Sequence, residues 1–174
     1  MNRGLRGTGR GALLSAVSCL IFAGCPAKPK PAQPEYRLGV PDFKLPALGG
    51  ANVSLSSLLG KPIVLDFWGS WCPPCRMAIP ELVRLHAAYE GEVGFLGIAL
   101  NDKREAADSV ARELGVEYPI LLGTNDVAKA YGIRDIPALY VLDAKGNLAF
   151  TETGFDADSG LVRLERVLKK LAGR

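Results

Sequence analysis

The run IVLDFW, Ile63 to Trp68, is apolar at every position but Asp66, and four residues past its end stands the first of two closely spaced cysteines, Cys72 and Cys75. A strand that is apolar on both faces belongs inside a sheet covered from both sides. After the cysteines the period changes. From Pro74 to Tyr89, the residues Ile79, Leu82, Val83 and His86 fall on one helical face, with Pro80 expected to kink it. A buried strand that runs through Cys-Pro-Pro-Cys into a helix leaves few architectures open.

The rest of the chain continues the alternation. FKLPALGGANVSL predicts two short strands around a Gly-Gly turn, and VGFLGIAL a second buried strand. A charged helix is expected from about Asp102 to Leu114, a short strand at YPILL and a short helix from Asp126 to Tyr131. ALYVLD and NLAFTE pair as a hairpin across Ala144-Lys145-Gly146. Leu161, Leu164, Leu168 and Leu171 give the closing helix one apolar stripe, with Arg163, Arg166, Lys169 and Lys170 outside it. Strands alternating with helices, then a hairpin and a helix, predict an α/β fold: a central mixed β-sheet flanked by helices, with an extra N-terminal β-hairpin.

The front of the chain reads differently. Arg3, Arg6 and Arg10 precede an uncharged, mostly apolar run from Gly11 to Gly24 that ends in FAGC. This is the pattern of a secretory signal peptide over residues 1–24. As a helix the run would reach only about 21 Å, short of the ~30 Å hydrocarbon core of a bilayer. FAGC resembles the bacterial lipobox, with Phe22 in place of the commoner Leu. The resemblance implies that Cys25 becomes the lipidated first residue of an exported protein; ordinary cleavage with Cys25 as a free thiol is the alternative. Residues 25–37 carry prolines at 26, 29, 31 and 34 and read as an extended tether, spanning up to about 37 Å in polyproline II. The folded domain is expected over 38–174.

Removing residues 1–24 takes three of the 21 basic residues and leaves 18 against 18 acids, so no basic surface remains from which to argue nucleic-acid binding. It also takes Cys19. With Cys25 lipidated, Cys72 and Cys75 are the thiols left in an oxidising compartment, which makes them a pair with each other. A metal role fits poorly: structural zinc wants four ligands, and the chain has a single histidine, His86. Haem attachment wants His after the second cysteine, where Arg76 stands. A copper carrier would be expected to supply more soft or imidazole ligands. A structural disulfide closing so small a loop constrains little chain entropy. Redox catalysis remains the leading reading, with no cofactor and no metal.

DFWGSWCPPCR resembles the active-site segment of the thioredoxin superfamily, and YGIRDIPALYVLD resembles its second signature, a cis-proline loop facing the cysteines. With the hairpin, the lipobox and WCPPC, the chain is most similar to the membrane-anchored TlpA/ResA-type thiol-disulfide oxidoreductases, over roughly Leu38 to Leu171. The resemblance implies a thioredoxin-like fold, a cis Ile136-Pro137 bond and a substrate-binding rim of Trp71, Pro73, Pro74, Ile136 and Pro137. It also implies a dipeptide that helps set the redox potential.

A helix start independently favours a thiolate at its first cysteine, through the dipole and the free N–H groups aimed at it. Cys72 is therefore the expected nucleophile and Cys75 the resolving thiol. Asp66 lies on the side of Val64 and Trp68. Buried, its pKa should rise, and by resemblance it assists proton transfer with the resolving cysteine; an acid reaching a surface partner is the alternative. His86, about 16 Å along the helix from Cys75, is too far for a direct base and reads as a packed residue. Asp135 introduces a carboxylate beside the expected cis-proline.

The expectation is a monomeric protein-disulfide reductase, lipid-anchored on the extracytoplasmic side of a bacterial membrane. It would act on cysteine-bearing exported proteins, cytochrome c apoproteins among them, and draw electrons from a membrane thiol reductase. The alternatives are a thiol peroxidase, disfavoured because Gly69 and Ser70 do not supply a Thr-x-x-Cys pattern, and a copper or apoprotein chaperone using the same thiols as ligands.

Overall fold

In the computed structural model, which describes residues 39–156 and 160–174, the apolar run forms β3 (Ile63–Trp68), with all six side chains buried. The expected signal peptide, Cys25 and the proline tether lie outside the described residues.

β3 is the middle of a five-stranded sheet in the order β5-β4-β3-β6-β7. β4 (Gly94–Ala99) runs parallel to it and β5 (Ile120–Leu122) parallel to β4; β6 (Ala138–Leu142) and β7 (Leu148–Thr153) are antiparallel. Parallel neighbours need crossovers, and these are α1 (Pro73–Ala88) between β3 and β4 and α2 (Arg104–Glu113) between β4 and β5. α3 (Asn125–Ala130) leads toward β6, and α4 (Gly160–Ala172) closes the chain. This is a mixed α/β fold of thioredoxin type, with a separate two-stranded sheet near the N-terminus, β1 (Lys44–Pro46) and β2 (Asn52–Ser54).

The two-residue period of β3 divides the core. Ile63, Leu65 and Phe67 pack with Leu96, Ile98 and Leu121 on one face, under Phe43, Leu45 and Leu55 of the N-terminal segment. Val64 faces the other way, onto Leu82 and Leu85 of α1 and Leu164 and Leu168 of α4. The N-terminal hairpin is held to the β5 edge by the Leu48 N–H, which donates to Ile120 O at 2.9 Å. Arg104 of α2 donates to the carbonyls of Ala47 and Leu48 at 3.0 and 2.5 Å.

α1 runs through Pro80 as a single helix, and one expectation for it is corrected. Its buried face is Cys75, Ala78, Ile79, Leu82 and Leu85, with Leu85 rather than His86 completing the stripe. His86 is half-buried and packs edge-on against Phe95 and Tyr118, with ring centroids 5.5 Å away in each case.

Candidate active site

The site begins where β3 gives out. Gly69 leaves room there for the Trp71 indole, which folds back over it: a Cβ at Gly69 would stand 2.9 Å from the ring. The Cys72 N–H donates to Gly69 O at 3.1 Å, closing the turn that delivers Cys72 to the N-cap of α1. The turn is pinned from β4. Asp102, just past that strand, accepts from the Ser70 N–H at 2.6 Å and from the Ser70 hydroxyl at 2.7 Å. Neither residue stands out in the sequence as part of the site, because the contact spans 32 positions and joins two loop residues.

Cys72 and Cys75 are joined in a disulfide with Cα atoms 5.3 Å apart. Cys72 is 4% exposed and Cys75 0%. The Cys75 N–H points at Cys72 Sγ, at 3.2 Å. This refines the expectation of several donors at the helix start. Pro73 and Pro74 hold the first two helical positions and have no N–H, so of the first three helical residues Cys75 alone supplies one. The dipole of α1 still favours a thiolate at Cys72, but with one directed donor rather than three. Arg76, the cation next to Cys75 in sequence, is turned to Glu113 on α2 at 2.5 Å.

The second predicted segment meets the first. The Ile136-Pro137 bond is cis, and Ile136 O lies 3.7 Å from Cys72 Sγ. Pro137 is buried, and its carbonyl accepts from the Gly154 N–H of the chain after β7 at 2.8 Å. Asp135, next to this pair, is exposed to solvent. Two large apolar side chains flanking the cysteines in sequence stand out in solvent, Trp71 58% and Met77 64% exposed. Trp71 is expected there from the motif, whereas Met77 carries no signal in the sequence that marks it as exposed.

The same strand, β3, carries Asp66. It is 2% exposed, on the face of β3 that also carries Trp68, against which Cys75 packs. Neither carboxylate oxygen has a hydrogen-bond partner among the described residues. Burial pushes its pKa from 3.8 up to about 7, because the charged form cannot be solvated there. The arrangement therefore offers a slightly exposed sulfur at a helix start, a fully enclosed sulfur behind it and a buried carboxyl whose pKa is pushed up to about 7.

Comparison with known proteins gives a consistent set of likenesses. Residues 38–151 match the model of the AhpC/TSA family. The thiol-disulfide oxidoreductase ResA of Geobacillus thermodenitrificans is 31% identical over 116 residues, covering 66% of this chain and 67% of the relative. Among solved structures, a thioredoxin-family thiol:disulfide interchange protein from Chlorobium tepidum aligns with a TM-score of 0.68 at 28% identity, covering 78% of this chain and 97% of the other. DsbF of Mycobacterium tuberculosis, solved in mixed oxidised and reduced forms, aligns with a TM-score of 0.68 at 31% identity, covering 76% and 98%.

Proposed function

This chain belongs to the AhpC/TSA family and is a thiol-disulfide oxidoreductase of the ResA type, and on that premise we propose that it works as a reductase of disulfides in exported proteins. The observation that carries the direction is the single N–H directed at Cys72. An oxidant needs its dithiol form strongly stabilised, which takes a thiolate held by several donors or by a cation. Here the prolines remove two donors and Glu113 engages Arg76.

In the proposed cycle the Cys72 thiolate attacks one sulfur of a substrate disulfide, forming a mixed disulfide and expelling the first substrate thiolate. Cys75 then loses its proton to the Asp66 carboxylate and attacks Cys72 Sγ. The second substrate thiolate leaves, the Cys72–Cys75 disulfide forms, and the two protons end on the two substrate thiols. Two electrons have passed to the substrate, and a membrane dithiol reductase returns them by the reverse exchange. Trp71, Pro73, Pro74, Ile136 and Pro137 form the rim on which the substrate chain lies. Met77 extends its apolar surface. Cytochrome c apoproteins, whose haem-binding thiols must be reduced, are a suitable substrate class.

The experiment is an equilibrium titration of the Cys72–Cys75 couple against glutathione and dithiothreitol buffers. The expected midpoint lies at or below about −180 mV, and a value of about −120 mV, that of a dedicated disulfide donor, would overturn the reductase reading.

Lipid attachment at Cys25 is part of the same proposal, supported by the FAGC ending and the tether that follows. Among the described residues no helix is long and apolar enough to cross a membrane. If the lipid at Cys25 is the anchor, Cys25→Ser should move the protein from the membrane to the soluble fraction. Unchanged retention would remove the anchor.

A further inference from the structure

Beside Asp66 the sheet carries a gap that other side chains occupy. Asp66 is register partner to Gly97 of β4, so both face the α1 side. A Cβ at Gly97 would stand 3.1 Å from Trp68 Nε1, 3.2 Å from Ile120 Cγ1 and 3.5 Å from Tyr118 Cε2. The place of the missing side chain is thus taken by the Trp68 indole and by the edge of the Tyr118 ring, which enters from the residues leading into β5. Tyr118 is buried, and its hydroxyl, like both oxygens of Asp66, has no hydrogen-bond partner among the described residues. Buried polar groups without partners are rare, and these two are complementary: a carboxylate accepts only, and a phenol carries a rotatable O–H donor.

We propose that Tyr118 is a positioning residue of the redox site: its hydroxyl turns toward Asp66 when that carboxyl ionises, and so sets the proton affinity of Asp66. The proposal rests on the reading of Asp66 as the proton acceptor for Cys75. The two groups already feel each other, since burial first and then the charge of Asp66 raise the pKa of Tyr118 well above its ordinary value. The other elements packed on this face bring little that could substitute. β6 presents Leu139, α2 Ala111 and α4 Leu164, all apolar. α1 brings the two cysteines, which do not titrate as a disulfide, and His86, whose ring lies against Tyr118.

The role has a definite sign. A phenol oriented toward the carboxylate favours its charged form, and phenylalanine in its place cannot. In the oxidised full-length chain in detergent micelles, with 13C at the Asp carboxyls and at Tyr Cζ, Tyr118→Phe should raise the Asp66 midpoint by about one pH unit, a tenfold change in proton affinity. In the wild-type protein the Tyr118 signal should show an inflection at the Asp66 midpoint. That inflection should vanish in Asp66→Asn and survive in His86→Asn. The wild-type signal decides the matter if Tyr118→Phe does not fold. A midpoint that moves while the pH profile of disulfide reduction stays put would uphold the control of Asp66 by Tyr118 and refute the proton-acceptor reading beneath it. An Asp66 midpoint that is unmoved or lowered in Tyr118→Phe, or a Tyr118 signal blind to Asp66, would overturn the proposal.

Discussion

Asp66→Asn makes the oxidised protein more stable by about 4 kcal/mol at pH 8, and by almost nothing at pH 3. The sign follows from the direction of the shift. The folded-state pKa is raised, from 3.8 to about 7, so the native state holds a proton that the unfolded chain gives up. Stability contributed by the protonated carboxyl is complete below pH 3.8 and is lost as pH climbs to 7, at about 1.4 kcal/mol per unit. Asparagine does not ionise in either state and escapes this loss. Urea unfolding of both proteins at pH 4, 5.5 and 7.5 should give curves that diverge through that window and then run parallel. A difference that does not change with pH would mean that Asp66 titrates normally. The same substitution should slow disulfide reduction on the order of a hundredfold, the usual weight of a positioned proton acceptor. A residue that costs stability above neutrality and speeds turnover is one whose burial serves the chemistry rather than the fold.

The second large effect concerns the thiols. Cys72→Ser should lower turnover by at least about a thousandfold, because a serine hydroxyl is not ionised at neutral pH and does not exchange with a disulfide. Cys75→Ser should be as inactive in steady state and yet keep the first half of the reaction. The asymmetry comes from geometry. Cys72, 4% exposed, caps the helix beside Ile136 O, whereas Cys75 is fully enclosed and packs with Trp68 and Ile79. On the proposed cycle a substrate disulfide reaches the first sulfur and not the second. Reduced wild-type protein should accordingly be alkylated by iodoacetamide much faster at Cys72 than at Cys75.

How far these features could be read from the chain depends on their range. The apolar runs at Ile63–Trp68 and 93–100 marked the inner strands, because a strand covered on both faces has few polar positions to give, Asp66 being the exception. The stripe of the closing helix was equally plain, with Leu164 and Leu168 buried and the basic residues outside. Strand order was not legible from pattern, since nothing in ALYVLD says that it lies beside β3 and antiparallel to it. That the Ile136-Pro137 loop faces the cysteines came from family resemblance. Contacts between loops were the hardest: Ser70 with Asp102, and Tyr118 beside Gly97, join residues whose own neighbourhoods look ordinary. The two prolines are plain in the sequence, but that each removes a donor from the sulfur's side depends on Cys72 standing at the N-cap, which the fold supplies.

The most direct measurement is the mapping of the mixed disulfide that forms when each single-cysteine variant meets an oxidised exported protein. The Cys75→Ser chain should accumulate a covalent adduct, and peptide mass mapping should place the bond at Cys72. The Cys72→Ser chain, with its thiol enclosed by Trp68 and Ile79, should form none under the same conditions. An adduct through Cys75 in the Cys72→Ser chain, or no adduct from either variant, would contradict a cycle in which Cys72 attacks and Cys75 resolves.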